Sequence, residues 1–177
     1  MYEKFGQFID GNWSPSADKG TYEVINPATE EILGHASKAT SVDVDKALKS
    51  AEKGLQIWKK TTPWDRSYIL RRIADKLREK KDVLAKWMTL ENGKPLAEGV
   101  GETNGAADIF EWNAEETKRI FGQTIESRFE DTRVHVYYQP VGVVAALSPW
   151  NFPLILAARK ISTALAAGCS VIIKPDT

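Results

Sequence analysis

Two polar tips, each following an apolar run near the end of this 177-residue chain, hold the residues best suited to chemistry. The first tip, Ser148-Pro149-Trp150-Asn151, follows Val143-Val144-Ala145-Ala146-Leu147; the second, Lys174-Pro175-Asp176-Thr177, follows Ser170-Val171-Ile172-Ile173. Between them Leu154 to Ala167 reads as a helix, closed by Gly168. Strand, helix and strand with short connections make a parallel βαβ unit, nearly always a right-handed crossover. Ligands of open parallel sheets lie beyond the carboxyl ends of the strands, which here are the two polar tips. The helix start near Asn151 is expected to add unpaired N–H groups and a positive dipole end. This arrangement points to a mononucleotide or dinucleotide, although the first turn carries no G-x-G-x-x-G. In isolation Asn151 reads equally as a loop or N-cap residue, and Lys174 as a lysine snorkelling off a strand end.

Other reactive side chains are few. Cys169, the one thiol, follows Ala-Ala-Gly at the start of an apolar strand. That position predicts a small, buried, inert residue with no basic group near enough to lower its pKa. His35 and His135 fall in separate strand-like segments, and no metal-ligand spacing occurs, so no metal site is expected.

The elements that must position these tips can be read from punctuation and period. Asp10-Gly11 between Phe8-Ile9 and Asn12-Trp13 predicts a tight hairpin. Short strands are expected at 22–26 and 31–36 around Pro27-Ala28-Thr29-Glu30. From Ser41 the apolar residues Val44, Ala47, Leu48, Ala51, Leu55 and Trp58 recur three or four apart, as on a helix. Thr62-Pro63-Trp64-Asp65 starts a second helix, with Thr62 as N-cap and Asp65 as capping partner. A third, near 82–91, stops at Asn92-Gly93-Lys94-Pro95, and a fourth is expected from about Pro95 to Phe121. Residues 123–139 alternate like an exposed hairpin turning at Glu130-Asp131. The continuous apolar run of Val143 to Leu147 predicts a strand covered on both faces.

Lys+Arg and Asp+Glu both total 24, with neither sign concentrated at one end, which argues against nucleic acid or an anionic membrane as partner. No apolar run approaches the ~20 residues that span a bilayer, and no secretory signal opens the chain. A single cysteine excludes an internal disulfide and suits a reducing compartment, with cytoplasm as the expected location.

Several segments resemble the aldehyde dehydrogenase superfamily, in matching order and spacing. They are Asn26-Pro27-Ala28-Thr29, Glu91-Asn92-Gly93-Lys94-Pro95, Gln139-Pro140-Val141-Gly142-Val143, Pro149-Trp150-Asn151-Phe152-Pro153, Arg159-Lys160, Ala164-Leu165-Ala166-Ala167-Gly168-Cys169 and Lys174-Pro175. The resemblance implies an α/β chain that begins a Rossmann-like, parallel-sheet dinucleotide-binding domain. Residues 1–121 would be its amino-terminal strands and helices, 122–140 a β-hairpin oligomerisation arm, and 141–177 its first βαβ unit. The full-length parent would then be a homo-oligomer, dimer or tetramer, acting on a small-molecule aldehyde.

Site roles follow from the same resemblance. NAD or NADP is the implied cofactor, lined by Ser148, Pro149, Trp150, Asn151, Lys174, Pro175, Asp176 and Thr177. Asn151 is the implied catalytic residue, its amide holding the oxyanion formed when a cysteine thiolate attacks the aldehyde. Lys174 corresponds to the lysine that contacts the adenine-side ribose. Thr177 stands where NAD-preferring members often carry Glu, so NADP is expected to be tolerated and even preferred. Arg159 matches the arginine that succinate-semialdehyde-type members place at the substrate entrance, where a guanidinium fork suits a distal carboxylate. Glu111-Trp112, Ala114-Glu115-Glu116 and Lys118-Arg119 resemble the same subgroup, with Asn113 in place of its usual Phe. The family's nucleophilic cysteine and general-base glutamate belong to later segments, so the chain reads as cut before its catalytic domain. These 177 residues alone are then expected to be inactive, and the alternative is a non-catalytic cofactor-binding or subunit-assembly module.

Overall fold

The computed structural model describes residues 6–176, an α/β chain of helices and short sheets. Strands β1 (Gln7–Ile9) and β2 (Asn12–Ser14) form the first hairpin, with Phe8 opposite Trp13 and ring centroids 5.1 Å apart. Its turn has φ of 51° at Asp10 and 78° at Gly11, the pair of positive values a two-residue hairpin of this type requires. Strands β3 (Thr21–Ile25) and β4 (Ile32–Ser37) pair antiparallel, one residue displaced from the expected bounds.

Helix α1 (Ser41–Trp58) begins at a capping box. The N–H and hydroxyl of Thr40 donate to Asp43 at 3.0 and 2.8 Å, and the Ala17 N–H donates to the same carboxylate at 3.1 Å. These bonds, chiefly the backbone ones, hold the Asp43 carboxyl down at about 2. In an unfolded chain the group titrates near ~3.9. Its contribution to stability is therefore complete above about pH 4 and lost as the pH falls towards 2. Asp43→Asn is accordingly expected to lower stability at pH 6 and to differ much less from the parent at pH 2.5. Urea unfolding at both values checks this; an equal deficit at both would remove the carboxylate's charge from the explanation.

Helix α2 (Pro63–Glu79) starts as expected, with the Thr62 hydroxyl accepting from the Asp65 N–H at 3.2 Å. Helix α3 (Lys81–Asn92) ends on Gly93 at φ 78°, a left-handed cap that glycine adopts without strain. Helix α4 (Leu96–Glu116) stops short of the expected Phe121 and tightens into a 3-10 turn over Thr117–Arg119. The reason is an anchor: Thr117 is buried, and its hydroxyl donates to the Ala166 carbonyl at 2.6 Å. Strands β5 (Gln123–Glu126) and β6 (Arg133–Val136) form the expected exposed hairpin, with Arg133 paired to Glu126 across it. The βαβ unit follows as strand β7 (Val143–Leu147), helix α5 (Pro153–Ala166) and strand β8 (Ser170–Lys174), with β7 and β8 parallel.

The core lies between α2, α4 and α5: Leu70 and Ala74, then Ala106, Ala107, Phe110 and Ala114, then Ala158 and Ala166. So many alanines bring the helix axes close, which is why side chains on α4 can reach the start of α5. At the α3–α4 crossing Gly99 lies so near Ala85 that an added Cβ would be 3.0 Å from its Cα. Asn113, the departure from the expected Phe, donates to the Ser162 hydroxyl at 3.0 Å, and Ser162 donates on to the Ala158 carbonyl at 2.7 Å.

One expectation fails here. Strand β7 is not covered on both faces: Ala145 is exposed and Leu147 is 65% exposed. Among the described residues its sheet has two strands, too few neighbours to close both faces. No helix among the described residues is long and apolar enough to cross a membrane.

Candidate active site

The parallel pairing of β7 with β8 sets Leu147 opposite Lys174, and the Ser148 N–H donates to the Lys174 carbonyl at 3.1 Å. This brings the two polar tips side by side, Ser148 to Asn151 along one and Lys174 to Asp176 along the other. Thr177 lies outside the described residues. Ser148 is buried, with no hydrogen-bond partner for its hydroxyl, while Pro149, Trp150, Asn151, Lys174, Pro175 and Asp176 are exposed. Asp176 raises the pKa of the Tyr22 phenol, an effect that comes second to the phenol's own burial.

The loop between β7 and α5 is held by its backbone. The Asn92 side-chain amide donates to the Trp150 carbonyl at 2.9 Å, and the Lys94 ammonium donates to the Asn151 carbonyl at 3.2 Å. Lys94 also lies 4.7 Å from the centre of the Phe152 ring, within cation–π range. Its main partner is Glu102 on α4, in an ion pair whose side chains are 7% and 2% exposed. The other Glu102 oxygen accepts from the N–H groups of Leu154 and Ile155, at 2.8 and 3.1 Å. Those are among the first amides of α5, and a carboxylate there meets both the unpaired donors and the dipole.

That bond corrects the expectation of free N–H groups at the α5 start. The Leu154 and Ile155 amides are occupied by Glu102, so they are not an open cradle for a phosphate. The Glu91–Pro95 segment had no assigned role in the sequence, yet two of its residues fix this loop. Only the matched motif itself could have flagged them.

Asn151 presents a different picture at its side chain. The residue is exposed, and its carbonyl, not its side chain, accepts the bond from Lys94. Arg159 is exposed on α5. Ala158, Ser162, Ala164 and Ala166 are the buried residues of the same helix.

Cys169 is buried, as expected, at 3% exposure. The expectation that no basic group lies near it fails. A Cβ added at Gly168, whose φ is 86°, would run into the Arg66 guanidinium. Arg66 is itself buried, and desolvation pulls its pKa down. Among the described residues, no group of three or more His, Cys, Asp or Glu is arranged to hold a metal ion.

Comparison with known proteins agrees with this architecture. The model of the aldehyde dehydrogenase family matches residues 13–177. A glutarate-semialdehyde dehydrogenase of Pseudomonas aeruginosa is 45% identical over 168 residues, covering 95% of this chain and 35% of that protein. The NADP(+) succinate-semialdehyde dehydrogenase of Escherichia coli is 43% identical over 167 residues, covering 94% of this chain and 35% of its own length. A crystal structure described as an E. coli NADP dependent enzyme superposes with a TM-score of 0.94 at 43% identity, over 95% of this chain and 35% of that one. The chain thus spans about a third of the length of the relatives it matches. With a family match over nearly all of its residues, the chain belongs to the aldehyde dehydrogenase family.

Proposed function

We propose that the whole protein carrying this segment oxidises a carboxylate-bearing semialdehyde, succinate semialdehyde or one of similar length, to the acid with NAD(P)+. The observation that carries the reading is the Asn151 amide, exposed on a loop whose backbone is tied down on both sides of it. As a nucleophile adds to the aldehyde carbon, its oxygen gains negative charge. A fixed, uncharged donor at that point stabilises the developing oxyanion without having to reorganise. The buried Cys169 is not suited to the attack, which falls to a thiolate elsewhere in the whole protein.

The residues at the two tips fit a dinucleotide. Lys174 is an exposed cation for ribose hydroxyls, and the unpartnered, buried Ser148 hydroxyl lies in the adjoining tip. The cofactor supplies the hydride acceptor. NADP is the preferred form in this reading, because Thr177 offers no carboxylate to repel a 2′-phosphate, and the names of a matched E. coli relative and a matched E. coli structure include that cofactor. Residues 1–121 and 141–177 belong to a Rossmann-like cofactor domain and 122–140 to an oligomerisation arm, in a cytoplasmic homo-oligomer.

Arg159 is assigned to the far carboxylate of the substrate. The matched relatives named for glutarate and succinate semialdehydes, two acid-ended substrates, support that assignment. The test is steady-state kinetics on the whole protein with succinate semialdehyde and a neutral aldehyde of similar length. The acid-ended substrate is expected to win, and Arg159→Leu to shrink its advantage in kcat/KM by about tenfold or more, the loss of one charged hydrogen bond. An unchanged ratio would take Arg159 out of the substrate site.

A further inference from the structure

The Lys94–Glu102 pair is buried, whereas the other ion pairs among the described residues each have at least one partly exposed partner, and it does not merely join two parts of one element. Beyond its own bond it makes three more. Lys94, just past α3, reaches Glu102 on α4 and the Asn151 carbonyl in the loop, while Glu102 reaches two amides at the start of α5. The bond to the Asn151 carbonyl is made on the very residue whose amide is the proposed donor, and that residue is exposed. Moving that carbonyl rotates the peptide unit and therefore re-aims the amide.

We propose that Lys94 and Glu102 are positioning residues for Asn151: the ion pair fixes the direction of its side-chain donor by holding its carbonyl and the helix start that follows. The proposal rests on the aldehyde-oxidation reading above. Neither residue touches the reacting atoms in it. Glu102 holds α5 in place; Lys94 sets where the loop stands against that helix. The Asn92 bond to Trp150 restrains the preceding residue, whereas Lys94 bonds the Asn151 carbonyl itself.

The deciding comparison is between a single and a double variant of the whole protein. Lys94→Met leaves the Glu102 charge buried alone and is expected to lose both stability and rate. In Lys94→Met/Glu102→Gln no charge is stranded, and the Gln carbonyl oxygen still accepts from the α5 amides, so the melting temperature is expected to recover most of its loss. Nothing then holds the Asn151 carbonyl. The double variant should therefore keep a kcat about ten- to a hundredfold below the parent, short of the full loss of a donor, with KM for the aldehyde within about threefold. Recovery of kcat along with stability would show a purely structural pair and overturn the positioning role. If the unsubstituted protein oxidises no aldehyde with either cofactor, the dehydrogenase reading falls, and the positioning role with it.

Discussion

Asn151→Ala in the whole protein is expected to lower kcat by about two to three powers of ten while leaving KM for the aldehyde nearly unchanged. The asymmetry is the informative part. A carbonyl oxygen in the bound substrate carries little charge, so one amide donor adds little to ground-state binding. The same oxygen in the transition state carries most of a negative charge, and a donor already aimed at it is worth about 3 to 4 kcal/mol. The substitution should not disturb the fold, because the loop is held by the carbonyls of Trp150 and Asn151 and not by the Asn151 side chain. An unchanged melting temperature beside a large loss in kcat is the expected pair of results. A loss confined to KM would place Asn151 in substrate binding and not in transition-state stabilisation.

Glu102→Ala is expected to be strongly destabilising, at about 3 to 5 kcal/mol. Removing the carboxylate strands a Lys94 side chain that is 7% exposed, and it takes the acceptor from two amides at the start of α5. Both losses act on one side of the three-helix core. Breaking a surface pair such as Lys76–Glu79, at 2.5 Å and more than half exposed, should by contrast cost about 0 to 1 kcal/mol. Urea denaturation of the two variants side by side measures the difference. A Glu102→Ala deficit as small as the surface one would mean that water reaches the pair.

Much of the fold is legible because it is local. Asp10-Gly11, Thr62-Pro63 and Gly93 each fix a dihedral or a cap within a few residues, and the structure follows them. The βαβ unit is legible for the same reason, since short connections leave one way for the strands to pair. What fails is what depends on a distant partner. The end of α4 is set by Thr117 bonding a carbonyl 49 residues away, and nothing in the local pattern announces it. Glu102, among Gly99, Gly101 and Gly105, has nothing in its neighbouring residues to single it out. Its lysine is close in sequence, yet the loop carbonyl that completes the arrangement lies 57 residues from that lysine. Helical period tells which residues share a face; it does not tell what the face meets. The presumed open helix end at α5 is the same error in reverse, a donor counted as free because its acceptor lay in another element.

The pinned loop also bears on entropy. A segment that met its ligand while still mobile would have to be ordered at every encounter, and that cost would be subtracted from the affinity each time. Here the carbonyls of Trp150 and Asn151 and the first amides of α5 already have their partners in the unliganded chain. That part of the ordering is completed once, when the chain folds, and every later binding event begins from a loop whose backbone is already held.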